Sequence, residues 1–150
     1  MAGKDSEFTF EMNVPAVMNH INDAADRALI AVGEHMKLEI AEGSHGDTHQ
    51  NVTGEYARSI GYSKPSGSRI ERKIKIGSSL IRAVYYEYGT GNKAEKGGGR
   101  STPWWFRNSS GVWIRTSGSR PSKRMRGAFR DEKNEVKNII RDEMRQVGKG

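Results

Sequence analysis

The stretch YYEYGTG, residues 85–91, places three tyrosines around one glutamate and then enters Gly-Thr-Gly. The apolar residues leading into it recur at helical spacing: Leu80, Ile81, Val84, Tyr85 and Tyr88. Gly89 stands where a helix C-terminus favours a left-handed residue, so we expect a helix, although residues 84–88 also alternate as in a strand. Glu87 is then either a catalytic carboxylate beside a phosphate-binding loop or part of a structural corner.

Length and composition favour one small domain, residues 1–150, with a thin core. Apolar residues make up 34% of the chain, which would leave surfaces for partners to cover. The absence of cysteine excludes disulfides, cysteine-type zinc fingers and thiol nucleophiles. The longest aliphatic run, Ala28–Val32, is far shorter than a bilayer span, and the N-terminus lacks a secretory apolar region. We therefore expect a soluble intracellular protein with no membrane contact.

The net charge of +7 conceals a strong asymmetry along the chain. Residues 1–57 hold three Lys/Arg and ten Asp/Glu, whereas residues 58–150 hold 22 and eight. Residues 91–130 alone carry ten basic side chains and one acid, Glu95. This split fits a basic surface for nucleic acid, and it fits equally well complementary faces that meet when copies assemble head to tail.

The first half of the chain predicts two helices and a hairpin. Asn13 as N-cap, Pro15 in the first turn and a helical apolar stripe predict a long helix that ends before Gly43. Thr53 caps a predicted short helix over residues 54–60. The turn residues KPSGS then separate two strands, residues 60–63 and 69–76. In the second strand one face is predicted to hold Ile70, Arg72, Ile74 and Ile76.

The second half predicts a flexible glycine-rich loop and a hairpin at about residues 91–120, with the protruding hairpin itself at 103–116. Its strands, TPWWF and GVWIRT, close around Asn108–Gly111. After Pro121 an apolar period predicts one last helix. The expected fold class is α+β, with long N- and C-terminal helices packed on a small antiparallel sheet.

Candidate cofactor sites are weak. The glycines of residues 89–91 and 97–102 meet neither the dinucleotide fingerprint nor the P-loop template, so we expect no nucleotide. His45, Asp47 and His49 alternate and could share a metal, but no further ligand is evident, so we expect a polar loop. His20 and His35 are expected to be surface or packing residues.

Glu87 fits a structural role better than catalysis, because no partner carboxylate or nucleophile lies near it in the sequence. A carboxylate at a helix end can accept backbone N–H bonds or pair with a basic residue. In residues 100–115 tryptophan and arginine interleave, as they do in modules that bind nucleic acid and at the centres of protein interfaces. Both uses of this region stay open.

Short motifs follow one another in a distinctive order along residues 50–130. They are Thr53-Gly54 with Ser59-Ile60, Ile76-Gly77, the Y-x-E-x-GTG block around Glu87, Thr102-Pro103-Trp104, and Met125-Arg126 with Ala128-Phe129. This order resembles the tail-completion, or head–tail joining, proteins of long-tailed double-stranded DNA bacteriophages, a family often labelled neck or minor capsid proteins. The segment EKGGGRSTPWW, residues 95–105, is similar to versions from phages of Gram-positive bacteria. Lys123-Arg124 departs from it, since such proteins have Pro-Phe there.

The resemblance implies a virion protein and no enzyme: a subunit of a neck ring that joins the DNA-filled head to the tail, assembled in the host cytoplasm. It implies no cofactor and no metal. Its partners would be other neck and tail proteins, further copies in the ring, and DNA passing through, with the free protein monomeric. Acidic surfaces of the first helix would meet basic surfaces of the next copy. The family's Glu and Gly-Thr fall on Glu87, Gly89 and Thr90, and its Thr-Pro-Trp falls on Thr102, Pro103 and Trp104. We expect these six residues, together with Tyr86, Gly91 and Trp105, to serve structure and interface.

Overall fold

A computed structural model describes residues 11–46 and 54–149. Its helices are α1 (Val14–Glu42), α2 (Gly54–Ser59), α3 (Arg82–Tyr88), α4 (Arg124–Asp131) and α5 (Lys133–Arg145). Its strands are β1 (Ile60–Tyr62), β2 (Ser66–Gly67), β3 (Arg72–Lys73), β4 (Ile76–Ser78), β5 (Trp104–Arg107) and β6 (Trp113–Thr116). The α+β class predicted from the sequence is confirmed.

Helix α1 has the bounds that its capping residues predict. The side chain of Asn13 accepts the N–H of Ala16 at 3.1 Å, and Gly43 ends the helix with a left-handed φ of 70°. The predicted capping residue of α2, Thr53, lies outside the described residues. The buried residues of α1 recur mostly at every fourth position, which makes one stripe for the core: Ala24, Ala28, Val32, Gly33, Met36 and Ile40.

The C-terminal segment packs against α1 in the opposite direction, since Arg27 pairs with Glu143 and His35 with Glu132. The prediction of one continuous last helix is wrong. The backbone leaves helical geometry at Glu132 (φ −88°, ψ 5°), which separates α4 from α5. The side chain of Glu132 bonds His35 on α1 at this point, a long-range contact that no local period reveals.

The predicted hairpin of residues 60–76 is confirmed, but its pairing extends to Ser78 and forms two short antiparallel ladders, β1 with β4 and β2 with β3. It packs on α1 at Gly33, where a Cβ would lie 2.7 Å from the ring of Tyr62 and 3.0 Å from Ile74. The assignment of Ile70 to the inner face is wrong, because this side chain is 93% exposed in a bend before β3.

Helix α3 confirms the helical alternative for the stretch at residues 84–88, but its predicted apolar stripe is not its buried face. The residues of α3 that are buried are Ala83 and Glu87. Most of the predicted stripe is exposed: Ile81, Val84, Tyr85 and Tyr88. The orientation follows the bonds that Glu87 makes to α4, which turn the polar residue inward.

The second predicted hairpin, β5 with β6, is confirmed and pairs Trp105 with Arg115 and Arg107 with Trp113. The side chain of Asn108 fixes its turn by accepting backbone N–H groups of residues 110 and 112. Within the described chain this hairpin joins no other strand. The core instead lies between α1, α2, β1, α3 and α4, and its buried members are Val32, Met36, Ile40, Tyr56, Ile60, Ala83 and Ala128.

Among the described residues, no helix combines the length and apolar character that crossing a membrane requires.

Candidate functional site

Glu87 lies at the centre of a corner between α3 and α4, and it is only 7% exposed. Its carboxylate accepts the backbone N–H groups of Met125 and Arg126, at 3.0 and 3.1 Å. It also accepts Nε of Arg126 at 2.9 Å, while its backbone carbonyl accepts Nη2 of the same guanidinium at 3.0 Å. The expectation that Glu87 accepts backbone N–H bonds at a helix end is therefore confirmed.

These bonds make Glu87 the N-terminal cap of α4, supplied from another helix. The residue at the usual capping position, Lys123, has a left-handed φ of 50° and no capping bond from its side chain. A carboxylate at the first turn satisfies free N–H groups and interacts favourably with the positive end of the helix dipole. The start of α4 at Lys123-Arg124 is thus held by the buried carboxylate of Glu87.

The guanidinium of Arg126 is shared between Glu87 and Glu95, whose Oε2 lies 2.9 Å from its Nη2. The hydrogen bonds that Arg126 donates to Glu95 and Glu87 raise the pKa of Arg126 above its ordinary value. The bond from Arg126 is also the main cause that lowers the pKa of Glu95. Arg126 also covers the ring of Tyr88, with 4.6 Å from Cζ to the ring centroid.

The Gly-Thr-Gly part of the corner lies against residues 117–119. Thr90 donates its N–H to the carbonyl of Ser119 at 2.9 Å and accepts the N–H of Ser119 on its hydroxyl at 3.0 Å. Gly91 has a φ of 65°, and a Cβ there would lie 2.1 Å from the carbonyl oxygen of Ser117. The N–H groups of Gly89, Thr90 and Asn92 all donate to carbonyls of this chain, so these three cannot bind a phosphate.

Two further residues lock the corner to the core. Tyr86 accepts the N–H of Ser122 on its carbonyl, and its ring meets Tyr56 edge to face at 5.7 Å. Arg124 is 5% exposed and lies over the ring of Tyr56 at 5.9 Å. Burial lowers the pKa of Arg124, and its Nε and Nη2 have no hydrogen-bond partner among the described residues.

The Thr-Pro-Trp motif joins the corner to the β5–β6 hairpin. Trp104 is partly buried and lies against Gly91, where a Cβ would be 2.9 Å from its ring. Thr102 and Pro103 are exposed, and the hydroxyl of Thr102 accepts Nε of Arg100 at 3.2 Å. Of the nine residues that the sequence singles out, six therefore gather at the corner: Tyr86, Glu87, Gly89, Thr90, Gly91 and Trp104. Trp105 lies beyond it, on the hairpin.

The hairpin carries side chains of different character on its two faces. Pairing places Trp105, Arg107, Trp113 and Arg115 on one face, with the tryptophans on one diagonal and the arginines on the other. The opposite face holds Trp104, Phe106, Ile114 and Thr116. Trp105 and Trp113 are 61% and 63% exposed. A two-stranded hairpin is at best marginally stable on its own, so these faces are suited to contact with another molecule.

A second apolar surface lies on α3, and we call it the α3 face: Ile81, Val84, Tyr85 and Tyr88. Their spacing puts all four on one side of the helix, and Phe129 of α4 is exposed as well. Val84 and Tyr88 border a cleft of about 260 Å³ with Met125 and Phe129. Contiguous exposed apolar surface of this kind marks protein interaction sites.

His45, which was considered as a metal ligand and expected in a polar loop, lies in a polar cluster with residues that the sequence analysis did not connect to it. Its Nε2 is 2.9 Å from Glu39, and its Nδ1 is 3.0 Å from Asp131. The hydrogen bond with Glu39 is the largest cause that raises the pKa of His45, and the hydrogen bond with Asp131 is the next. Asp47 and His49 lie outside the described residues. His35 joins the same cluster through Glu132, whereas His20 is exposed on α1.

No family model matches the chain, and neither the curated proteins nor the solved structures contain a significant match. The functional interpretation therefore rests on the residues and on where the fold places them.

Two features of the site were missed from the sequence. Arg126 and Glu95 complete the Glu87 corner; in the sequence Arg126 was noted only as part of the Met125-Arg126 motif, and Glu95 only as the one acid of residues 91–130. The exposure of the α3 face was missed because a helical apolar stripe normally marks the core side. In the polar cluster, His35 and Glu39 are four residues apart on α1, a spacing that places both on one face and could have suggested a pair.

Proposed function

We propose that this protein is a structural subunit of the neck of a long-tailed double-stranded DNA bacteriophage, where it joins the DNA-filled head to the tail. Its place is the virion, after assembly in the host cytoplasm. One observation carries the proposal. The motif residues around Glu87 build a corner, and next to it the α3 face and the β5–β6 hairpin expose large aromatic side chains.

The hydrogen bonds of the corner support a structural role for Glu87. Both carboxylate oxygens of Glu87 are occupied, one by Met125 and the other by two groups of Arg126. A general base needs a free lone pair within reach of its substrate, and a nucleophile needs an open path. Glu87 instead holds the start of α4 against α3, which presents the α3 face in a fixed position.

The exposed surfaces support contact with other proteins. The α3 face and the hairpin together expose tyrosine, tryptophan and arginine, the residues that most often dominate binding energy at interfaces. Their partners in this proposal are neighbouring copies in a ring and the other neck and tail proteins. A subunit that must meet several partners needs more than one such surface.

The charge distribution supports a head-to-tail arrangement of copies. Asp23 and Glu42 are exposed on α1, while Arg107 and Arg115 are exposed on the hairpin. Opposite charges on different faces of one chain favour a heterologous contact, which closes into a ring when the rotation permits. Glu39 contributes less to this surface, because it bonds His45 within the chain. Charge reversal at Asp23 and Glu42 should therefore weaken assembly, and added salt should do the same.

The test deletes the gene from the phage or prophage that carries it and then supplies a wild-type or variant copy. Without the protein, electron microscopy should show filled heads and free tails, and the wild-type gene should restore joined particles. The double variant Trp105→Ser with Trp113→Ser should fail to restore joining, whereas Ile70→Ser, at an exposed apolar residue of the other hairpin, should restore it. Firmly attached tails in the absence of the protein would refute the proposal.

A nucleic-acid-binding module is the second candidate, and the mixed face of the hairpin favours it. Trp105 and Trp113 could stack on bases while Arg107 and Arg115 contact phosphates. This function requires DNA affinity that falls steeply with salt, with a log–log slope of about −0.9 per phosphate contacted on duplex DNA, and that is lost with either tryptophan. Fluorescence anisotropy with duplex and single-stranded DNA measures both properties. A neck subunit that merely lets DNA pass should show neither.

A further inference from the structure

Four side chains from three segments converge at the C-terminal end of α1. His35 and Glu39 come from α1, His45 from the loop that follows it, and Glu132 from the junction of α4 and α5. Nε2 of His35 lies 2.7 Å from Oε2 of Glu132, and Nε2 of His45 lies 2.9 Å from Oε2 of Glu39 and 3.8 Å from Oε1 of Glu132. We call these four residues the His35 cluster.

We propose that the His35 cluster is a binding site for a divalent transition-metal ion, with zinc as the best match to two imidazole nitrogens and two carboxylate oxygens. Tetrahedral zinc with bonds of about 2.0–2.2 Å separates neighbouring ligand atoms by about 3.3–3.6 Å. The separations above, 2.7 to 3.8 Å, bracket that range. One ligand atom from each of His35, Glu39 and Glu132 falls within 4.8 Å of the others. His35, Glu39 and Glu132 therefore supply three ligand atoms, and His45 becomes the fourth ligand when its side chain rotates towards them.

The second nitrogen of His45 has the partner that a metal-binding histidine typically has. Its Nδ1 lies 3.0 Å from Oδ2 of Asp131, while Nε2 faces Glu39 and Glu132. A carboxylate on the far nitrogen fixes the ring orientation and increases the basicity of the ligating nitrogen. Asp131 is itself held by Nε of Arg130 at 2.8 Å. The cluster thus has an outer layer of contacts as well as candidate ligands.

The charge of the cluster also favours a cation. Three carboxylates, those of Glu39, Asp131 and Glu132, surround two imidazoles that are neutral in a ligating state. Arg130 balances one of the charges. A divalent ion would neutralise the remaining two, which reduces the repulsion between partly buried carboxylates.

The backbone places the ligands near one another independently of the contacts between their side chains. His35 and Glu39 are one turn apart on the rigid α1. The loop holding His45 reaches α4 because Gly127 lacks a side chain: a Cβ there would lie 2.7 Å from the backbone nitrogen of Gly46. The side chains of the His35 cluster are 13–26% exposed, so the site is partly shielded and still open to an entering ion. A bound ion would fasten the end of α1 to the junction of α4 and α5.

Isothermal titration of the full-length, EDTA-treated protein with zinc chloride tests the proposal. We expect one ion per chain and a rise in melting temperature on binding. His35→Ala and His45→Ala should each weaken binding by about 100-fold or more, and Asp131→Asn by about tenfold. His20→Ala, at a histidine exposed on α1, serves as the matched control and should leave the affinity unchanged.

Circular dichroism of each metal-free variant shows whether it still folds. If His35→Ala does not fold, His35→Gln, which keeps a polar group, replaces it. X-ray absorption of the zinc-loaded protein should show a first shell of nitrogen and oxygen with two imidazoles. Absence of binding, or equal effects of the cluster variants and the control variant, would overturn the site. In that case the cluster is a hydrogen-bonded network of histidines and carboxylates only.

Discussion

The Glu87→Gln substitution keeps the size of the buried side chain and removes its charge. In the wild-type corner one oxygen accepts the N–H of Met125, and the other accepts both the N–H and Nε of Arg126. A glutamine can keep only one of these oxygens. If it keeps the one facing Arg126, its amide group points a donor at the N–H of Met125, which then has no acceptor.

The size of the effect follows from those bonds. A hydrogen bond to a charged group contributes about 1.5–3 kcal/mol, and the lost bond to Met125 is of this kind. The two bonds that remain lose their charge assistance, which is roughly half of their strength. We therefore expect Glu87→Gln to lower the free energy of unfolding by about 3 kcal/mol or more. A domain of this size has about 5–15 kcal/mol, so the variant should fold but with a clearly reduced margin.

Urea unfolding followed by circular dichroism measures this loss at neutral pH. With an m-value of about 2 kcal/mol/M, the midpoint should fall by about 1.5 M or more. Glu95→Gln is the matched control, because it removes the other, more exposed partner of Arg126 and should have a much smaller effect. A loss below about 0.5 kcal/mol for Glu87→Gln, or equal losses for the two variants, would refute the capping role.

Three further outcomes follow. Gly91→Ala should lower the free energy of unfolding in urea by about 3 kcal/mol or more, because a Cβ would lie 2.1 Å from a carbonyl oxygen. Gly97→Ala, at φ 64° with open space around it, should lower it by only about 1–2 kcal/mol. Equal losses for the two variants would contradict this. The pKa of Glu95 is lowered in the folded state, so its stabilisation is present above the unfolded value and lost as pH falls through the folded one. The difference between wild type and Glu95→Gln should thus be constant above about pH 5 and shrink below about pH 4; a difference that grows in acid would contradict it. Trp105→Ser with Trp113→Ser should change the free energy of unfolding by less than about 1 kcal/mol in the same assay while abolishing head–tail joining, and a large loss of stability would show that the hairpin is part of the core.

The elements that local chemistry determines could be predicted from the sequence. The bounds of α1 follow from Asn13, Pro15 and Gly43, which act on the backbone next to them. The hairpin at Trp104–Thr116 follows from two alternating strands and an Asn-Ser-Ser-Gly turn. These signals lie within a few residues of their effects, so no tertiary information is needed.

The orientation of α3 could not be predicted in the same way. Its buried face is decided by Glu87, whose hydrogen-bond donors lie on residues 38 and 39 positions further along the chain. A buried carboxylate looks like a surface residue in any hydrophobic pattern, so the pattern assigns the wrong face to the core. The break at Glu132 has a similar cause, since its partner His35 is 97 positions away.

Photo-crosslinking in purified virions tests the central claim most directly. A photo-reactive amino acid in place of Trp113 on the exposed hairpin should give crosslinks, identified by mass spectrometry, to a neck or tail protein or to a second copy of this chain. The same group at Ile70 should give few. Absence of the chain from purified virions, or crosslinks to none of their proteins, would contradict the assignment as a structural joining subunit.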